Sequence, residues 1–104
     1  MTYRVSFRPQ ARLELEEIRQ IIATDNPMRA ARYVERIYKT CLSLSEMPLR
    51  GPARNEIARG LRILTFERRV VIAYRVHERT HEVEIVNVFY GGRDYEAWLR
   101  RHYR

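Results

Sequence analysis

Arg69-Val70-Val71-Ile72-Ala73-Tyr74-Arg75-Val76 decides how the rest of this chain is read. Its centre, Val70 to Ala73, is an unbroken apolar run rich in β-branched side chains, too short for an independent helix and without a polar face to offer water. Such a run predicts an interior strand covered on both sides. Working outward, Gly60 to Phe66 is a second strand-like run, and only Glu67 and Arg68 lie between the two. That spacing predicts an antiparallel hairpin. Downstream, Glu78-Arg79-Thr80-His81 is a turn before the strand-like Val83 to Tyr90, so the second half of the chain reads as a three-stranded antiparallel meander.

The first half has a different rhythm. Tyr3 to Phe7 alternates apolar and polar residues, the pattern of a half-buried strand, and Pro9 ends it. From Gln10 to Ala23 the positions Ala11, Leu15, Ile18 and Ile22 share one helical face, with Glu14, Glu17 and Arg19 expected away from it. Arg12 and Glu16 have the spacing of a surface ion pair. Asn26-Pro27 then supplies a cap and a first helical residue. A second helix follows, with the stripe Ala30, Val34, Ile37, Cys41 and Leu44, flanked by Tyr33 and Tyr38 and stopped by Pro48. A link this short makes the two helices an antiparallel hairpin. The expected fold is α+β, in the order βααβββ, with a loop over residues 50–54, a short C-terminal helix at Tyr95–Arg101 and a single domain over residues 1–104. The helices cover one sheet face; the second needs the C-terminal segment or a partner.

Composition narrows the classes. Forty-five per cent apolar and 32% charged residues describe a folded globule. The absence of a membrane-length apolar run or a secretory signal leads us to expect a cytoplasmic protein. One cysteine, Cys41, excludes an internal disulfide and a cysteine zinc site. His77, His81 and His102 stand apart from any ligand motif, so no metal site is expected. Gly91-Gly92 is too little for a phosphate loop and reads as a helix entry. Asn87, on an apolar strand, needs a hydrogen-bond partner if it is buried. The net charge of +7 calls for an acidic partner, and nineteen of the twenty basic residues are arginine. Seven of those arginines fall in residues 50–75 against only Glu56 and Glu67, and residues 93–104 add four more. Arginine suits bidentate contact with carboxylate or phosphate.

Arg4-Val5-Ser6-Phe7-Arg8-Pro9-Gln10-Ala11, Met47-Pro48-Leu49-Arg50-Gly51, Gly60-Leu61-Arg62, Tyr74-Arg75-Val76 and Gly91-Gly92-Arg93-Asp94, in this order and spacing, resemble the ParE branch of the RelE/ParE toxin superfamily of bacterial toxin–antitoxin systems. The resemblance covers essentially the whole chain, and no single piece is diagnostic. It implies a cytoplasmic toxin that inhibits DNA gyrase by binding and is neutralised by a ParD-like antitoxin in a hetero-oligomeric complex. No cofactor, membrane or sequence-specific DNA contact is expected of the toxin alone.

Superfamily members resembling RelE instead cut messenger RNA on the ribosome without a metal. That chemistry needs a base for the ribose 2′-hydroxyl, cations for the phosphorane and an acid for the leaving oxygen. Arg62 and Arg93 stand where two of those cations are expected, but Val71 occupies the place of a catalytic arginine and Leu99 that of a tyrosine. Tyr90 and Tyr95 are displaced from that place, and a shift of several residues changes the direction of a side chain. The expectation is therefore a non-enzymatic gyrase inhibitor; a RelE-type, ribosome-dependent mRNA endonuclease is the alternative, and a member that only binds its antitoxin is a third reading. The expected target surface is Arg62, Arg93, Tyr95, Trp98, Arg100 and Arg101, since tryptophan and arginine are frequent interface anchors. Trp98 also has a plainer reading as cover for the sheet. An acidic, amphipathic antitoxin segment is expected on Arg62, Arg69 and Arg75, with charge acting chiefly on its association rate.

Overall fold

A computed structural model of the chain describes every residue except Met1, Arg93 and Arg104. Strand β1 (Arg4–Phe7) leads into helix α1 (Pro9–Ala23), which begins at Pro9, a residue whose missing N–H costs nothing in the first turn. Helix α2 (Pro27–Leu42) is capped as predicted, the Asn26 side chain accepting from the Arg29 N–H at 3.1 Å. It passes into a 3₁₀ turn (Ser43–Ser45), so Leu44 is buried just beyond the helix whose stripe it completes.

Strands β2 (Leu61–Phe66), β3 (Val70–His77) and β4 (Glu82–Tyr90) form the predicted meander. The full sheet order is β1-β4-β3-β2, which puts β3 inside the sheet. β1 runs parallel to β4, from Arg4 opposite Glu82 to Phe7 opposite Ile85, so the sheet is mixed. The β2–β3 turn puts both central residues at positive φ, Glu67 at 49° and Arg68 at 61°, and closes with Arg69 N–H donating to Phe66 O at 3.1 Å. That is a type I′ turn, whose hand matches strand twist, built here without the glycine that usually relieves it. Glu67 is kept in place by its carboxylate, which takes a forked contact from Arg36 of α2.

Ala11, Leu15 and Ile18 of α1, with Ile37 and Cys41 of α2, meet Val70, Ile72, Tyr74, Val83, Ile85 and Val88 on one sheet face. The other face is covered by the chain itself. Helix α3 (Tyr95–His102) and residues 57–58 bring Leu99, Ile57 and Ala58 onto Leu61, Ile63, Ala73, Val86 and Phe89.

Two expectations about α1 are corrected. Glu14 does not face away: it is only 3% exposed, with its carboxylate accepting from the Val88 N–H at 2.7 Å and the Asn87 amide at 3.0 Å. This is the partner that Asn87 required. The pairing of β3 with β4 shifts register between Ala73 and Tyr74, leaving Val86 unpaired at a bulge, and Glu14 caps the strand just past it. Arg12 does not pair with Glu16 either. Arg19 takes that carboxylate, while the Arg12 guanidinium lies 5.5 Å from the Phe7 ring centre.

Candidate functional site

The loop after α2 is shaped by two neighbours on the strands. Arg62 of β2 stands opposite Tyr74 of β3 in register. The Tyr74 hydroxyl donates to Pro48 O at 2.8 Å and accepts the Gly51 N–H at 2.8 Å, and Arg62 Nη1 donates to Gly51 O at 2.7 Å. Burial pushes the Tyr74 phenol above its ordinary pKa, so it stays a donor. Gly51 leaves no room for a side chain: a Cβ would lie 2.8 Å from Ile63 O. Residues 52–54 then run beside the free edge of β2, with Arg54 N–H donating to Leu61 O at 2.8 Å and Ile63 N–H to Pro52 O at 3.1 Å. One guanidinium and one phenol thus position the whole Met47–Gly51 motif.

Arg54, which sequence alone left in a loop, proves to be a clamp. Its Nη2 reaches Glu96 of α3 at 2.8 Å and its Nε reaches Glu56 at 2.6 Å. These hydrogen bonds, Glu96 first, raise the Arg54 pKa, and the bond from Arg54 holds Glu56 below the usual carboxylate range. Asp94 caps α3 by accepting from the Ala97 N–H at 3.1 Å. Tyr95 and Trp98 both pack against Phe89 of β4, Trp98 edge-on with ring centres 5.6 Å apart and its other side stacked on His102 at 3.8 Å. Arg100 donates to Glu56 O at 2.9 Å, whereas Arg101 is exposed.

At the other end of this sheet face lies a polar group of residues. Glu84 accepts from Arg8 Nε at 2.7 Å and contacts His77 Nε2 at 2.9 Å. Burial pulls the Glu84 carboxyl upward, but the bonds from Arg8 and His77 outweigh it and leave the group below its ordinary value. Arg8 and Arg75 both lie over the Tyr103 ring, at 5.2 and 5.8 Å from its centre.

Of the expected target residues, Tyr95, Trp98, Arg100 and Arg101 therefore share α3, with Tyr95 and Trp98 half-buried as sheet cover. Arg93 lies outside the described residues. Arg62 is separate from them, bonded to the Gly51 loop. The three arginines expected to receive the antitoxin are also dispersed. Arg62 aligns with Tyr74, whose ring joins the core under α1 and α2; Arg75 aligns with Leu61, which joins the core under α3; Arg69 sits at the far end of the hairpin. Neighbouring strand residues point to opposite faces, so charge clustered in sequence is divided between two sides.

This fold is similar to that of solved structures of toxin–antitoxin systems. The chain superposes on the chromosomal ParDE toxin–antitoxin system from P. aeruginosa with a TM-score of 0.73 at 22% identity, covering 86% of this chain and 97% of that one. Against the RelBE2 toxin–antitoxin complex from Mycobacterium tuberculosis the TM-score is 0.68 at 24% identity, over 89% and 95% of the two chains. A mutant of the E. coli toxin RelE in the free state gives 0.68 at 13% identity, over 97% and 96%. No curated protein matches the sequence. The family model for the ParE toxin of the type II toxin–antitoxin system, parDE, matches residues 5–95. The chain belongs to that ParE toxin family. Trp98, Arg100 and Arg101 fall beyond the matched span.

Proposed function

We propose that this protein is the toxin of a type II pair that stops growth by binding and inhibiting DNA gyrase in the cytoplasm, and that a ParD-like antitoxin neutralises it. The observation that carries the choice of target is the filling of the α3-side sheet face. Val71 packs against the cluster of Ala73, Val86, Phe89 and Leu99, where a nuclease needs cations and a proton donor. Shape and charge suffice to hold a large enzyme–DNA complex. The α3 residues Tyr95, Trp98, Arg100 and Arg101, with Arg93 and Arg62, are the proposed contacts.

The test is a supercoiling assay with purified protein, run beside an mRNA-cleavage assay on translating ribosomes. Gyrase inhibition without cleavage is expected. Arg93→Ala and Trp98→Ala, checked for folding, should each weaken inhibition about tenfold or more. If both variants fold and inhibit like the parent, the contact assignment is wrong. A second reading, metal-independent mRNA cleavage on the ribosome, draws on one observation: Arg8, Arg75, His77, Glu84 and Tyr103 gather cations, an imidazole and a phenol at the polar end of the same face. Cut transcripts with untouched supercoiling would select it.

A further inference from the structure

Residues 47–54 form a strap that is fixed more firmly than a connection between a helix and a strand requires. Arg50 N–H donates to Met47 O at 3.2 Å, and Arg62 Nη1 reaches Leu49 O at 3.3 Å as well as Gly51 O. The Tyr74 hydroxyl holds Pro48 O and the Gly51 N–H, and beyond Gly51 the strap is bonded to β2 through Pro52 and Arg54. A phenylalanine ring at position 74 would fill the core equally well, so the hydroxyl serves the strap. Connecting segments are ordinarily polar and mobile. This one is pinned, and it presents apolar side chains: Met47 and Leu49 stand 60% and 57% exposed, and Pro52 and Ala53 after them are exposed too.

Apolar groups pinned in water suit a surface made in advance for a partner, because ordering a loop on binding costs affinity. The chemistry narrows the occupant. Phosphates of a nucleic acid gain nothing from Met47 and Leu49, and among the strap's exposed residues only Arg50 is a cation. A partner strand cannot pair along residues 61–63, since residues 52–54 already occupy that edge of β2. Two large and two small side chains also fall short of the roughly 800 Å² that each copy of a stable dimer buries. What fits is an anchor inside a larger interface with another protein. The strap is continuous with one such surface: Arg54 at its end is bonded to Glu96 of α3 at 2.8 Å, and Arg62, which holds it, is among the proposed target contacts. We infer that residues 47–53 are the apolar anchor by which the toxin seats on its target protein, Met47 and Leu49 entering an apolar depression there. Arg62 is a positioning residue of that surface and acts through the carbonyls it holds.

The inference rests on the gyrase reading for the identity of the target, whereas the chemistry of the anchor follows from the strap alone. It also joins Arg62 to α3, since the strap runs from one to the other.

The probe is purified gyrase on a biosensor, with a supercoiling assay beside it. Met47→Ser and Leu49→Ser should each weaken binding and inhibition about tenfold, and the double variant more, with the urea midpoint unchanged because neither side chain packs in the core. Tyr74→Phe isolates the positioning role, since a buried hydroxyl bonded to the strap touches no partner. It should weaken inhibition about threefold to tenfold and speed hydrogen exchange at the Gly51 amide. Arg62→Lys, which keeps a donor for Gly51 O, should lose less than Arg62→Ala. Leu13→Ser, at an exposed apolar position on α1, should change nothing. A folded double variant that inhibits like the parent overturns the proposal. So does a parent dimer that the double variant dissolves, which would make the strap a contact between copies. Faster exchange in Tyr74→Phe with full inhibition overturns the positioning role. If the parent leaves gyrase untouched, the gyrase reading fails and growth arrest on induced expression decides the strap: arrest lost in the double variant upholds it, and arrest retained overturns it. A parent that neither inhibits gyrase nor arrests growth has no target and overturns both.

Discussion

Gly51 is where a single atom matters most. Its hydrogen sits where a methyl group would meet Ile63 O at 2.8 Å and the Tyr74 ring at 3.0 Å, while its N–H and C=O are held by Tyr74 and Arg62. Gly51→Ala must move backbone, and overpacking of this kind costs roughly 1–3 kcal/mol, to be read from the urea midpoint. A midpoint equal to the parent's would show that the loop is free to shift. Cys41 is the opposite case, a side chain that does nothing but fill. Burial pushes its thiol up to about 12, so at about pH 8 it should be inert to a thiol reagent until the protein unfolds. Rapid labelling of the native protein would contradict its place in the core. The motif around Gly51 was legible in the sequence as a motif, but its reason was not, because Ile63 and Tyr74 reach it only once the strands have formed.

At the level of elements, α1 is attached to the sheet by apolar packing and by one buried carboxylate. Glu14 satisfies the Val88 N–H and the Asn87 amide beside the register shift, so helix placement and bulge depend on one another. Glu14→Ala strands both donors in the core and should cost roughly 2–4 kcal/mol. Glu14→Gln, which keeps an acceptor for the Val88 N–H, should lose less. Equal stability of the parent and both variants in urea would remove this contact from the account of the fold. The spacing held the signal: Glu14 lies three residues after Ala11 and four before Ile18, on the apolar stripe. Residue type argued against spacing, and the sheet bulge that rewards an acceptor there was invisible.

For the whole molecule, acid is the informative variable. Glu84 and Glu56 both have native pKa values lowered from 4.5, so the unfolded chain takes up protons first as the pH falls. Their contribution to stability is complete above that value and is lost below it, as the pH passes through the lowered native values. The urea midpoint should therefore hold from about pH 7 to about 5 and drop on the way to about 3. Glu84→Gln should make that drop shallower, and a drop identical to the parent's would show that the Arg8–Glu84–His77 cluster contributes nothing. Added salt separates this local effect from the general self-repulsion of a chain carrying +7, which salt screens.

Periodicity and punctuation determined by themselves the βααβββ order, the interior position of β3, the capped start of α2 and the need to cover a second sheet face. Those properties are local, because an apolar run or an Asn-Pro step constrains the backbone wherever it occurs. Tertiary structure alone decided that α3 and the 57–58 segment supply the cover, that β1 runs parallel to β4, and that Arg54 clamps α3. It alone divided the arginines between two sheet faces, since the direction of a side chain depends on strand register and on neighbours remote in the chain.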